Sequence, residues 1–396
     1  MDSAVAASPV TSAWAHFHRR MSALGELIAQ DQFPQGDREQ AEGYRHLARL
    51  MQYALQWYVE FGDPAFPAFH RFDDDWLKWG GPGADFTYLR AKLDGQYSYR
   101  LSGHVAGARG FTFSLCEGEM QMNQMAVFGQ WNHRDVTLDT DGKFSCLFSA
   151  ERPAGYDGDW FPLDPRTDHL NIRIVVADWE NDAIPAFYIE RVGGAGQAPG
   201  PLSGEQLAER LDRAAKWVEA TIPYWNQRIG QAFEKAARNR IAQPGSVDGG
   251  VQDISYGTGF WELESDEVLL LEWEVPRAHY WGIILYSLGW FESLDIAHRL
   301  TSYSDAQSYI DTDGKVRMVI AHSDPGVPNW LDTGGGQRGF GHDLGGGAGD
   351  GAPAGEGGSV RRRSAAASRR APRTRQRRGP SGRGAPRAAA ASRRRP

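Results

Sequence analysis

Asp139-Thr140-Asp141-Gly142-Lys143 and Asp311-Thr312-Asp313-Gly314-Lys315 are the same five residues, 172 positions apart. Alone, the match is ordinary turn chemistry. Its neighbours make it a repeat. Upstream, residues 105–115 match 275–285 at an offset of 170, so that Phe113 falls on Ile283 and Leu115 on Leu285. Downstream, Asp159-Trp160-Phe161 lies near the position of Asn329-Trp330-Leu331. Three landmarks in one order at nearly one offset indicate two copies of one structural module.

The pattern around the repeat identifies the module. Apolar residues alternate with polar ones over 97–105, 110–116, 144–149, 170–176, 186–192, 268–275, 280–287 and 316–321, the period of a strand. Asp-Gly steps at 94–95, 141–142 and 313–314 supply the positive φ of a tight hairpin. Short strands joined by such turns predict an antiparallel sandwich or jelly roll. Elsewhere the period is helical. Trp14, Phe17, Met21, Leu24 and Ile28 share one stripe, Tyr44, Leu47, Met51, Leu55 and Tyr58 another, and Asp63-Pro64 closes the second helix. A further helix starts at Ser203, with Gln206 as its capping-box partner, and Pro223 is expected to kink or break it into a pair. The fold class is therefore α+β, mainly β. A helical hairpin (1–65) precedes a first β module (66–200), linking helices (201–245), a second β module (246–340) and a tail (341–396).

Charge separates body from tail. Of 43 Lys and Arg, 14 are arginines within 361–396, which leaves 29 bases against 50 acids in residues 1–360. A body this acidic repels nucleic acid and anionic membranes, so any nucleic-acid affinity would come from the tail and be non-specific. Cys116 and Cys146 lie in apolar strand runs and read as buried free thiols. The first ten residues lack the pattern of a secretory signal, and no run of 18 apolar residues occurs, so a cytoplasmic protein is expected. The second module, by analogy with the first, needs strands after Trp330. The sequence there is Gly341-His342-Asp343-Leu344-Gly345-Gly346-Gly347, which is expected not to pleat, followed by an Arg/Ala/Gly/Pro/Ser tract with GC-rich codons. A reading-frame error near Phe340 accounts for that composition. A genuine disordered basic arm is the alternative.

Four segments resemble a known family: residues 78–91 (Lys-Trp-Gly-Gly-Pro-Gly-Ala-Asp-Phe-Thr-Tyr-Leu-Arg-Ala), 280–286, 290–294 and 323–333 (Ser-Asp-Pro-Gly-Val-Pro-Asn-Trp-Leu-Asp-Thr). They look like actinobacterial members of domain of unknown function 1214, and the first is also similar to the companion family numbered 1254. The resemblance covers roughly residues 10–340 and implies a jelly-roll-type β fold. Members normally continue past Asn-Trp-Leu with an aromatic, arginine-containing strand, and this chain departs from them there. No activity or catalytic residue comes with the family.

Candidate chemistry is sparse. The body contains no His-Glu-x-x-His, Cys-x-x-Cys, phosphate loop or nucleophile elbow, so neither a metal nor a cofactor is expected. Asp73-Asp74-Asp75 reads as a solvated loop or cap. Glu117 and Glu119, two apart at a strand end, would share one face and suit acid–base work, with His104 as a third nominee. His133 reads as an exposed or hydrogen-bonded loop histidine. For ligand binding the nominees are Asp85, Tyr88 and Arg90 in the Gly-Pro segment, Trp160, and Asn329, Trp330 and Asp332. These are polar and aromatic residues in glycine- or proline-bounded loops. A cavity is expected where the 324–333 loop meets Asp85, Tyr88 and Arg90. The functional expectation is a small-molecule protein, binding or transforming an apolar or carbohydrate-like compound between its two β modules, with a homo-oligomer as a further expectation. The alternative is a structural or interaction protein without chemistry.

Overall fold

The computed structural model describes residues 8–105, 107–242, 244–245, 254–346 and 361–364, and both copies of the repeated pentapeptide turn the chain the same way. Glycine takes the left-handed conformation in each, with φ 74° at Gly142 and 80° at Gly314. The first aspartate's N–H donates to the lysine carbonyl, over 2.8 Å from Asp139 to Lys143 and 2.9 Å from Asp311 to Lys315. Gly95 corrects the expectation made for it. It is absent from the residues of positive φ, and is glycine because a Cβ would lie 2.3 Å from the Asp164 carbonyl oxygen.

The first half comprises α1 (Pro9–Ile28), α2 (Asp37–Leu55), β1 (His70–Arg71), β2 (Phe86–Lys92), β3 (Tyr99–His104), β4 (Gly110–Glu119), β5 (Gln124–Asn132), β6 (Lys143–Ser149), β7 (Asp159–Pro162), β8 (His169–Val175) and β9 (Ala186–Arg191). Then follow α3 (Gly204–Lys235), β10 (Arg240–Ile241), β11 (Ile254–Glu262), β12 (Glu267–Glu274), β13 (Tyr280–Ser287), β14 (Ser302–Ser304), β15 (Lys315–Ala321), β16 (Trp330–Asp332), β17 (Arg338–Gly346) and β18 (Arg361–Ser364). The first module pairs a sheet of order β1-β2-β8-β4-β5 with one of order β7-β6-β3-β9. The second pairs β10-β11-β17-β13-β14 with β16-β15-β12-β18. Position for position the two orders are the same, so the duplication extends to every strand. Even the parallel pairing recurs, with Leu147 opposite Trp160 and Val319 opposite Trp330.

Three apolar cores follow from the alternation. Phe113, Leu115, Ile172 and Phe148 fill the first sandwich; Ile283, Leu285, Met318 and Leu331 fill the second. The third core joins α1, α2 and α3 to the outer faces of both five-stranded sheets through Tyr53, Trp57, Trp217, Tyr88, Tyr286 and Phe340. One face of each large sheet thus packs on its partner sheet and the other under helices. All eight strands expected from the sequence are present. Those it misses include β2 and β11, which are buried on both faces and so lack a clean alternation.

Two further expectations are overturned. Pro223 does not divide the central helix: α3 runs unbroken for 32 residues. The lost N–H is tolerated because Ile222 and Trp225 on either side are buried and hold the helix onto the sheets. Nor is the second module short of strands after Trp330. β17 lies at the centre of its sheet, Phe340 opposite Phe260 on one side and Tyr286 on the other. β18 pairs with β12, Ser364 opposite Glu267. Backbone pairing needs no side chain, and here a side chain is unwelcome: a Cβ at Gly339 would lie 2.3 Å from the Trp261 ring. The disordered arm expected over 347–360 and 365–396 lies outside the described residues. No helix among the described residues is long and apolar enough to cross a membrane.

Candidate functional site

Among the places that gather polar chemistry in the described residues, two bear on the residues nominated from the sequence. The first lies beneath the helices, on the covered face of the first module's large sheet. Arg90 on β2 and Glu119 at the end of β4 pair at 2.9 Å, their side chains 5% and 8% exposed. Arg90 also donates Nε to Asn171 Oδ1 at 2.7 Å and Nη1 to the Tyr53 hydroxyl at 2.5 Å. Its guanidinium lies 5.0 Å from the Trp57 ring and 4.6 Å from that of Phe72. The second carboxylate oxygen of Glu119 accepts from Gln121 Nε2 and Trp217 Nε1, each at 2.7 Å. Burial, reinforced by the Arg90 charge, lowers the pKa of nearby His70 to about 4, and burial pushes the Cys116 thiol up to about 12. Nε and Nη1 of Arg90 and both carboxylate oxygens of Glu119 are used inside the protein. The cluster is a fastener between helices and sheet.

Glu117 and Glu119 do not share a face. Gly118 stands between them with φ 62°, and a Cβ there would lie 2.1 Å from the Gln124 carbonyl oxygen. The left-handed residue breaks the strand alternation. Glu119 turns under α3, while Glu117 stays at the rim with Gln124 Nε2 at 3.1 Å. His104 is exposed at the far end of β3, away from both. Asp74 Oδ1 accepts from Trp76 N and Leu77 N, and Asp73 Oδ1 accepts from Trp79 N, so these two acids cap a turn.

Structural partners also claim the second-module nominees. Asn329, with φ 54°, gives its amide to the carbonyls of Tyr309 and Arg317 at 2.7 and 3.0 Å and accepts from Tyr309 N at 2.8 Å. Asp332 pairs with Arg299 at 2.9 Å. Trp330 and Trp160 are half-buried twins: one indole donates to Ala321 O at 3.1 Å, the other to Ser149 Oγ at 2.9 Å, the residue 172 positions earlier. Two cavities, the cleft described below and a smaller one beside Trp261, take no wall from residues 324–333. Tyr88 accepts from Gly83 N at 2.8 Å. Asp85, by contrast, sits where the modules meet, binding the Tyr280 hydroxyl at 3.0 Å and Trp179 Nε1 at 3.1 Å.

That junction holds the second place, a cleft enclosing about 620 Å³ including its open mouth. The first module contributes Phe86, Phe111, Thr112, Asn132, Arg173 and Val175. The loops at 109 and 133–134 add Arg109, His133 and Arg134, and the second module closes the space with Ile254, His279 and Tyr280. Phe86 and Tyr280 meet edge to face at 5.3 Å, and Asp85 behind them fixes the Tyr280 ring. Burial, with Arg134 and His279 adding to it, lowers the pKa of His133 and favours the neutral imidazole. The sequence reading missed Arg173, although it carries a signal: a cation in the middle of an apolar strand run, Leu170-Asn171-Ile172-Arg173-Ile174. His279 and Arg109 carry none, since their closeness is purely tertiary.

The family model described as protein of unknown function (DUF1214) matches residues 87–178 and 263–341, one segment in each module. It is the family that the sequence motifs resemble. Among solved structures, an uncharacterised protein from Burkholderia cenocepacia matches with a TM-score of 0.81 at 29% identity, over 90% of this chain and 97% of its own. The VPA0106 protein from Vibrio parahaemolyticus matches over 81% of this chain and 97% of its own, at 14% identity and a TM-score of 0.44. No curated protein matches.

Proposed function

We propose that the protein binds a small molecule in the cleft where its two sandwich modules meet. The observation that carries this reading is the cleft itself. Apolar walls from Phe86, Val175, Ile254 and Tyr280 surround a few polar groups from both modules, among them Thr112 and Asn132, the composition typical of ligand sites. The six-membered aromatic rings among the described lining residues are those of Phe86, Phe111 and Tyr280, which favours an apolar or aromatic compound over a sugar stacked on a broad indole. The free buried thiols Cys116 and Cys146 support a reducing compartment, and hence the cytoplasm, a reading that cell fractionation tests.

Ligand-observed NMR of the full chain with a mixture of aromatic fragments tests the site. Thr112, opposite Asn132 and Arg173 in the β4 ladders, is the place to fill it. Fragments that bind wild type should lose binding to Thr112→Trp. Hits that bind both proteins equally would show that the cleft is not the site.

A further inference from the structure

Resting on the small-molecule reading above, we infer that the ligand of the cleft is an organic anion, a carboxylate or phosphate on a planar apolar body, held by the Arg173 guanidinium. Three guanidiniums reach the cleft, those of Arg109, Arg134 and Arg173. Among the described residues, Arg109 alone of the three is neutralised, by Asp305 of the second module at 2.5 Å. Arg134 gives Nη2 to His279 Nε2 at 2.8 Å, and among the described residues the one hydrogen bond from Arg173 goes to the Tyr256 hydroxyl, at 3.4 Å. Among the described residues, neither Arg134 nor Arg173 has a carboxylate within 4.0 Å.

Arg173 is the telling case. It stands on β8 between Tyr88 of β2 and Thr112 of β4, in the middle of the sheet. Its guanidinium carbon lies 5.8 Å from the Phe86 ring and 5.3 Å from the Tyr88 ring, and its Nε is buried without a hydrogen-bond partner. Rings orient a guanidinium and keep it dry, but they supply no counter-charge. The acid whose field reaches it, Asp73, is itself buried, and burial raises its pKa, so it is a weak counter-charge at best. Arg173 is half-buried; a cation partly withdrawn from water without an anion is unfavourable, and the open mouth of the cleft gives an anion access. Nor is the excess of positive charge a general property of the surface, because residues 1–360 carry 29 bases against 50 acids. The planar fork of Arg173 suits a bidentate carboxylate or phosphate, and Phe86, Val175 and Ile254 would enclose the attached apolar body.

Isothermal titration of the full chain with 2-naphthoate, 2-naphthyl phosphate and the neutral 2-naphthamide tests this. At least one anion should bind about tenfold or more tightly than the amide, and the tighter of the two distinguishes carboxylate from phosphate. Arg173→Met should erase that preference while leaving amide affinity within about threefold, and Arg173→Lys should retain part of it. Without ligand, Arg173→Met should melt no lower than wild type, since it removes an uncompensated charge. An amide that binds as tightly as the anions would overturn the anion inference and leave the cleft reading standing. A variant that melts far below wild type would make Arg173 a structural cation and overturn it as well. Failure of all three probes to bind would remove both readings.

Discussion

Replacing Glu119 with leucine tests whether the buried polar cluster is a fastener or a reactive site. The substitution leaves the Arg90 guanidinium, 5% exposed, without its only paired carboxylate among the described residues, and strands the Nε1–H of Trp217, a side chain with 0% exposure. Breaking a buried pair from one side costs about 3–5 kcal/mol, and an orphaned buried donor adds about 1–3 kcal/mol. Tyr53 and Asn171 still bind Arg90, so a net loss of roughly 5 kcal/mol is expected, on the order of 10 °C in Tm. Arg90→Met should be similarly harmful. The double variant Arg90→Met/Glu119→Leu should recover to within about 2 kcal/mol of wild type, because an apolar pair of similar volume replaces an ion pair at little cost. Urea unfolding followed by tryptophan fluorescence measures all four corners of the cycle. A single variant that costs less than about 1 kcal/mol, or a double variant that costs the sum of both singles, would refute the fastener and return Glu119 to the candidates for chemistry.

Further outcomes follow from other elements. The pKa of His70 is lowered in the fold from 6.5 to about 4, so as pH falls below 6.5 the unfolded chain takes up a proton that the folded chain refuses. Stability should therefore drop by about 3 kcal/mol between pH 6.5 and 4, and His70→Gln should flatten that part of the denaturation profile. Gly339→Ala should cost about 1–3 kcal/mol by driving a methyl group into Trp261; an unchanged melting temperature would show that β17 is not seated at the centre of its sheet. Asn329→Ala should lower stability by about 1–3 kcal/mol through the lost bonds to Tyr309 and Arg317, with naphthoate affinity unchanged in calorimetry. Sequencing the coding DNA downstream of codon 336 tests the proposed frame error. An alternative frame that encodes an aromatic, arginine-containing strand supports it, and stop codons in both other frames refute it.

Much of the architecture is legible in the chain before folding. The repeated Asp-Thr-Asp-Gly-Lys turn, the equivalence of Phe113 with Ile283 and the eight alternating strands all survive into the structure, because each is a local preference of backbone and side chain. The helical hairpin is legible for the same reason. Its stripe of Phe17, Met21, Leu24 and Ile28 is the face it buries. Where a segment is covered on both faces, as β2 and β11 are, the alternation that reports a strand disappears. Where glycine replaces side chains, as in β17, composition suggests a loop although the backbone still pairs on both edges.

The location of the candidate site was decided by tertiary structure alone. Glycine- and proline-bounded polar loops at Asn329–Asp332 looked like a binding surface, yet their polar groups are spent on Tyr309, Arg317 and Arg299. Gly118 separated two acids that strand geometry would have placed side by side. Arg109, Arg173 and His279 are brought together across more than 100 residues of chain, with nothing local to announce it. Sequence by itself determined that this protein is two copies of one β sandwich with helices beside them, since periodicity and turn chemistry act within a few residues. Only the packing of the first module's sheet against the ends of β11 and β13 decided where the cleft lies and which charges in it go unpaired, because both depend on distances between segments that no local pattern encodes.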